Sequence, residues 1–484
     1  MARRCNRIKA SDVEILLQLF ILLFGGTLSM KTTKEFPATH SMDTEWFIAD
    51  AEGNIALFDF DDDGPVPAKI ADNDDFFDTK YGLNLSVLDL EEKPNQPDYS
   101  ECIVNLSNSI LKHYGIPTDN ASLPVADSIL SKNKKHVVVI LLDGLGVNIL
   151  QEHLHYRDFL RRNFICTYSS VFPPTTTAST TSFLSGKYPI EHGWLGWDLH
   201  FEQENKTVTC FKNVLQDSET PASTEYNVPF KYLPYESIIE KINKSGNAKA
   251  YQVATFGDEP CTQLDDWIKK IQNYCHKDER NFIYAYWNEP DHSLHHYGTK
   301  SKEVHDIIQE LNIKMMDLCE TCPDTTFILT ADHGHLDISN QELCTDFSEL
   351  SKMLVRQPSI EPRAISFYVK PEYLEEFPKK FVKEFGTDYV LFTKQEVLEK
   401  NMFGLGNPHS NLTGIGDFVA AAFTPKTLVW NEKSTKFRSH HAGLTKKELE
   451  IPLISFEYKK NREGLIVYYG IVAMFVILLI IIMI

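Results

Sequence analysis

His136-Val-Val-Val-Ile-Leu-Leu142 runs straight into Asp143-Gly144, and this stretch decides how the chain is read. It is apolar without alternation and rich in β-branched residues. That pattern fits a strand buried on both faces, as in a parallel sheet covered by helices. Two further runs behave alike. Asn281-Phe-Ile-Tyr-Ala-Tyr-Trp287 leads into Asp291-His292-Ser-Leu-His295, and Thr326-Phe-Ile-Leu-Thr330 leads into Asp332-His333-Gly334. In an open parallel α/β sheet, ligands collect beyond the carboxyl ends of the strands. Three strands are therefore expected to deliver carboxylates and imidazoles to one crevice.

A fourth element is Pro173-Pro-Thr-Thr-Thr177, followed by Ala178-Ser-Thr-Thr-Ser-Phe-Leu-Ser-Gly186. The prolines stop what precedes them, and Gly186 suits a helix end. A threonine at a helix start can be only a cap. Beside two divalent cations, the helix dipole and the metals both favour its alkoxide, which makes it a nucleophile. Asp291 and His295 are four apart, so one helical turn puts both on one face. Asp332-His333 and His441 complete a carboxylate and imidazole set that zinc accepts. Each pair alone could be an ordinary buried polar group; their coincidence in one chain points to a metal-dependent hydrolase.

The 484 residues suit one large α/β domain, or one with an insertion, and 43% hydrophobic residues are ample for a core. A net charge of −19 argues against binding a nucleic-acid duplex. Strand and helix patterns alternate over 103–456, the expected catalytic domain. Residues 31–102 read as an N-terminal leader with β-rich pieces, and about 195–235 as a polar surface insertion.

The ends carry targeting signals. Met1 to Lys9 is basic and Ile15 to Phe24 is apolar, so residues 1–30 read as a signal peptide or signal anchor. Residues 465–484 are uncharged and long enough, at roughly 30 Å, for a transmembrane helix. Lys459, Lys460 and Arg462 before it would favour the cytoplasm, but the N-terminal signal is taken to dominate. A single-pass, membrane-anchored protein is expected, with its catalytic domain extracellular or in the secretory lumen. Six sequons agree with this: Asn84, Asn105, Asn120, Asn205, Asn243 and Asn411. Eight cysteines besides Cys5 are an even number that permits disulfides. Cys319-Glu-Thr-Cys322 reads as a disulfide or two thiols.

With Ser185-Gly-Lys-Tyr-Pro-Ile-Glu-His-Gly193, Glu289-Pro-Asp291 and His441-Ala-Gly-Leu444 added to these motifs, the chain resembles the type I phosphodiesterase/nucleotide pyrophosphatase family of the alkaline phosphatase superfamily over residues 103–455. The resemblance implies an alkaline-phosphatase-like three-layer α/β sandwich with a mostly parallel central sheet. It implies two zinc ions, one on Asp291, His295 and His441, the other on Asp143, Asp332, His333 and the nucleophile. The nucleophile falls on Thr176, with Thr175 and Thr177 as alternates; His440 is the alternate to His441. Double displacement through a phospho-threonine follows, on a small phosphodiester or pyrophosphate, a nucleotide among them. Nucleotide-specific members resemble Thr-Phe-Pro-Asn-His after the nucleophile, and their Asn supports a phosphate oxygen; here Ser179 stands in its place. Trp194 and Trp197 are candidates to stack on a flat leaving group. Two other readings stand beside this one: a phosphomonoesterase or phosphotransferase of the same superfamily, and an inactive ectodomain used for binding.

Overall fold

The computed structural model describes residues 94–458, apart from 258, 344–347, 411, 413 and 431–435, together with four short strands ahead of them. The expected signal, the C-terminal apolar segment, Asn84 and Asn411 lie outside the described residues. Among the described residues, no helix is long and apolar enough to cross a membrane. The chain divides into two units, Met1–Glu91 and Glu92–Ile484. In the first, Glu35–Pro37 pairs antiparallel with Pro65–Pro67, and Thr44–Ala49 with Ile55–Phe60.

The second unit is built on a six-stranded sheet. Its strands in chain order are β1 (His136–Leu142), β2 (Phe164–Ser169), β3 (Lys249–Val253), β4 (Asn281–Trp287), β5 (Thr325–Thr330) and β6 (Glu450–Glu457). Their spatial order is β3-β4-β1-β5-β6-β2. Every residue of β1, β4 and β5 is buried, which accounts for the unbroken apolar runs. β4 and β5 flank β1 in parallel register, Trp287 opposite Leu142 and Thr330 opposite Leu141. The carboxyl ends of the three strands are thus level.

The sheet is mixed. β6 pairs antiparallel with both β5 and β2, so it alone runs against the other five. The reason is its starting point: β6 follows His441 and leaves from the crevice end, whereas β2 arrives there and hands the chain on to Pro173. Helix α1 (Ile103–His113) lies against α2 (Thr176–Ser185), the Ser107 hydroxyl donating to the Phe183 carbonyl. Phe183 stacks on Tyr284 of β4 at 5.3 Å, which seats α2 on the sheet. Gly186 ends α2 with φ +72°, as expected from sequence.

A second sheet has seven strands, all paired antiparallel: Tyr389–Thr393, Phe418–Ala422, Ala364–Phe367, Ser359–Glu361, Asp198–Phe201, Lys206–Thr209 and Val214–Leu215. Phe367, Phe377, Phe381 and Phe385 form a separate core on it. The stretch 195–235, read as an irregular insertion, therefore supplies three strands of regular sheet.

Asn105 departs from its expectation as a glycan acceptor. It is fully buried in α1, its side chain accepting from the Cys102 amide at 2.7 Å and donating to the Ala121 carbonyl at 3.0 Å. Asn120 is half-buried and donates to Glu191, while Asn205 and Asn243 are exposed. Cys319 and Cys322 are buried free thiols, as is Cys275.

Candidate metal centre and cavity

The level strand ends bring the predicted residues together. Asp143 follows β1 directly. Asp291 begins helix α3 (Asp291–Tyr297), and its amide donates to the Asp143 carbonyl at 2.9 Å. Gly144 has φ +74°, and a Cβ there would meet Asp291 at 3.0 Å and the His335 ring at 3.1 Å. Only glycine gives that conformation and clearance without strain. At Gly334 a Cβ would lie 2.0 Å from the Lys447 carbonyl, so the Asp332-His333 turn also requires glycine.

Two clusters result. In the first, ligand atoms of Asp143, Asp332 and His333 lie within 4.8 Å of one another. His333 Nε2 is 3.3 Å from Asp143 Oδ1 and 3.5 Å from Asp332 Oδ2. Thr176 Oγ1 stands beside them, 3.4 and 3.3 Å from the two Asp143 oxygens and 3.3 Å from His333 Nε2. In the second, Asp291, His333, His335 and His441 lie within the same limit. His295 and His441 approach Asp291 Oδ1 at 3.4 and 3.8 Å.

The donor chemistry fits cations. Asp332 Oδ2 is fully buried with no hydrogen-bond partner, a costly state for a carboxylate oxygen unless a cation meets it. Burial, then the nearby Asp291 charge, pushes the Asp143 carboxyl well up; burial, then Asp143, does the same to Asp332. For Asp291 burial acts in the same sense, but His295 and His335 outweigh it and hold its carboxyl low. Burial lowers His295, His440 and His441, and takes His335 down to about 3, so these rings are neutral. His295 and His441 face backbone carbonyls through Nδ1 and keep an Nε2 lone pair for a ligand, whereas the His440 Nδ1 accepts the His441 amide at 2.9 Å.

Thr176 is half-buried on the wall of a cavity of about 690 Å³, shared with Trp197, Glu361, His295 and His441. Thr175 and Thr177 are buried. Thr175 caps α2 by position, but its hydroxyl donates to Glu361 instead. Ser179 is fully buried one helical turn on. It bonds the Ser170 hydroxyl at 2.9 Å, and Ser170 in turn donates to the Asp332 carbonyl, so Ser179 braces the metal turn from below and does not line the cavity. Trp194 is 1% exposed and its indole N–H donates to the Leu233 carbonyl at 2.8 Å. It is a core residue with no free face, whereas Trp197 is half-buried and lines the cavity.

Three residues near the site were not singled out from sequence. Tyr286, at the end of β4, donates to Asp143 Oδ2. Glu361 accepts from Thr175 Oγ1 at 2.7 Å and from the Trp197 amide at 2.9 Å, its carboxyl pushed up to about 8 by burial. It follows Ile360, whose φ of +80° is an outlier for a β-branched residue. His335 bonds Asp291 at 2.6 Å, and only the spacing Asp332-His333-Gly334-His335 could have marked it in advance.

The bis(5'-adenosyl)-triphosphatase ENPP4 of Homo sapiens and that of Pongo abelii are each 24% identical over 246 residues, 44% of this chain and 51% of theirs. The chain thus spans about half the length of these relatives. Murine ectonucleotide pyrophosphatase/phosphodiesterase 5, solved as an inactive variant in complex with AMP, superposes with a TM-score of 0.51 at 17% identity, covering 66% of this chain and 87% of that one. The human protein gives a TM-score of 0.51 at 16% identity, over the same shares. These structures share the α/β fold with its mixed sheet. The family model for type I phosphodiesterase / nucleotide pyrophosphatase matches residues 137–441, from β1 to the last histidine of the cavity, and the chain belongs to that family.

Proposed function

We propose that the chain is a metal-dependent phosphodiesterase that works through a phosphorylated Thr176. The observation that carries this reading is the position of Thr176 Oγ1, 3.3 to 3.4 Å from Asp143 and His333 at the N-terminus of α2 and on the cavity wall. Asp143, Asp332, His333 and Thr176 would hold one divalent cation, and Asp291, His295 and His441 another, zinc in both cases by donor type. When bound, such ions neutralise phosphate charge and lower the pKa of a coordinated hydroxyl.

The residues of the chain do the rest. The Asp143 carboxylate orients the Thr176 hydroxyl and draws its proton. Thr176 Oγ forms a bond to phosphorus as the bond to the leaving-group oxygen breaks. Partial positive charge at the start of α2 favours the attacking oxygen and the incoming phosphate. The departing oxygen takes up the Thr176 proton, and water then cleaves the threonyl phosphodiester, which still carries the substrate's second ester group, restoring the hydroxyl and releasing a phosphomonoester. The half-buried Trp197 offers an aromatic edge for a flat group, and AMP in the murine neighbour supports a nucleotide among the substrates. We also propose a secretory, membrane-anchored location, supported by the exposed sequon Asn205.

The test compares bis-p-nitrophenyl phosphate with p-nitrophenyl phosphate, with and without chelator, on the purified full chain and on Thr176→Ala. Chelator-sensitive preference for the diester is expected, with turnover lost in the variant and metal content unchanged. Preference for the monoester would move the protein to the phosphatase branch. Turnover surviving in Thr176→Ala would refute the nucleophile.

A further inference from the structure

His335 lies against Asp291, and its hydrogen-bond partners do not add up. The ring is fully buried. Leu336–Asp337 pairs antiparallel with Ser439–His440, Leu336 opposite His440, and this short ladder holds the ring beside Ser439. Three polar contacts form one chain. Ser439 Oγ lies 2.7 Å from the Leu294 carbonyl, His335 Nδ1 lies 3.1 Å from Ser439 Oγ, and His335 Nε2 lies 2.6 Å from Asp291 Oδ1.

A serine hydroxyl and a neutral imidazole have one polar proton each. Two protons cannot fill three contacts between atoms that otherwise only accept. If Ser439 donates to Leu294, Nδ1–H must donate to Ser439, and Nε2 turns a lone pair on the Asp291 carboxylate. If Nε2–H donates to Asp291, the Ser439 and Leu294 oxygens face each other at 2.7 Å with no proton between them. A third proton would make an imidazolium. Next to a divalent cation on Asp291, that charge is repelled. A cation shared by Nε2 and Asp291 completes the chain with no surplus charge.

We infer that His335, through Nε2, is a direct ligand of the cation held by Asp291, so that this position is ringed by the imidazoles of His295, His335 and His441. The inference rests on the two-metal reading above. The His335 ring centroid lies 4.8 Å from that of His295 and 5.1 Å from that of His441. Gly144 leaves the room the ring occupies, since a Cβ there would lie 3.1 Å from it. Ser439 acts as an outer acceptor that fixes the tautomer, the usual arrangement for a ligating histidine.

The test loads the full-length chain with Co2+ in place of the native ions and records exchangeable, far-shifted imidazole N–H signals by proton NMR, together with visible absorption. A histidine ligated through Nε2 keeps one such Nδ1–H, so wild type should show one signal each from His295, His333, His335 and His441 where each ligates by that atom. His335→Gln should remove one signal, change the visible bands, and weaken Co2+ affinity in chelator competition by more than about 100-fold, beyond the range for an outer partner. Ser439→Ala, a milder change, should keep the bands and lose about 10- to 100-fold. Wild-type signals that include none from a fourth histidine, or bands unchanged in His335→Gln with the other signals present, would overturn the ligand assignment alone. Failure of the wild-type chain to bind Co2+ would overturn the two-metal reading with it.

Discussion

The Glu361 carboxyl accepts the Thr175 hydroxyl at 2.7 Å, one residue ahead of Thr176, the proposed nucleophile. Glu361 also takes the Trp197 amide, so one buried oxygen ties the start of α2 to the second sheet. Glu361→Ala should lower kcat by about 10- to 100-fold by loosening Thr176, since small misplacements of a reacting group are costly. Glu361→Gln keeps an acceptor and should restore most of the rate. Thr175→Val should match Glu361→Ala, and the double variant should lose little more, because both remove one contact. Steady-state kinetics on the set checks this.

The same carboxyl has a stability signature. Burial raises it from 4.5 to about 8, so the folded chain keeps a proton the unfolded chain releases. Its contribution is full below about pH 4.5 and is lost as pH rises to about 8. Thermal melts of the chelated protein should fall over that window, and Glu361→Gln should flatten the slope.

Metal removal should expose a second, larger dependence. Asp143 and Asp332 are both raised by burial and by neighbouring carboxylates, so without cations they favour the protonated form. Their share of stability is present at low pH and lost as pH rises. Asp291, held low, acts in the opposite sense, losing its share as pH falls. The lowered His295, His335, His440 and His441 also lose their share as pH falls below about 6.5 (the ordinary histidine range), so the raised pair is read above it: there the chelated protein should melt lower as pH rises, while the metal-loaded protein should not. Calorimetry in both states across pH decides it.

Arg363 and Glu448 form a fully buried bidentate pair, Nε to Oε1 at 2.7 Å and Nη2 to Oε2 at 2.9 Å. Glu448 also accepts from the Gly443 amide at 2.6 Å, which pins the loop carrying His441. Arg363→Met leaves a buried carboxylate unpaired and should cost about 3–5 kcal/mol. Denaturant titration measures the loss, and cation affinity should drop with it.

The two tryptophans should separate cleanly. Trp194→Ala removes a core side chain and should cost about 3–5 kcal/mol with KM unchanged in the surviving fold. Trp197→Ala should leave stability nearly intact and weaken binding of an aromatic leaving group by about 0.5–1.5 kcal/mol. Melting curves and KM for aromatic against alkyl diesters tell them apart.

What was legible in the sequence was whatever local pattern dictates. β1, β4 and β5 show themselves because burial on both faces demands unbroken apolar runs, and Asp143, Asp291, Asp332 and His333 follow from where those runs stop. Gly186 shows itself because a helix end favours positive φ. What was not legible depends on chain returning from far away. Glu361 looks like any acidic residue until a strained Ile360 and the second sheet turn it toward α2. Trp194 and Trp197 are three apart and alike in type, and only folding decides which one is inside. Asn105 satisfies the glycan motif, yet folding buries its amide between the Cys102 amide and the Ala121 carbonyl. The reversed β6 depends on the His441 loop being a crevice element, which no strand pattern reveals.

The parallel register of β4 and β5 on β1 has one more consequence. The separation of Asp143 and Asp332 is measured by the backbone ladder, in steps of about 3.3 Å, while the turn 288–290 after β4 places Asp291. The ladder works like a ruler with discrete marks. A slip of one mark would carry Asp332 away from Asp143 and turn the strand's side chains to the opposite face. Insertions in the loops beyond the sheet can be absorbed by those loops. A single residue added or deleted inside Thr325–Thr330 cannot, so in this fold the most intolerant positions for change of length are apolar strand residues that never touch a substrate.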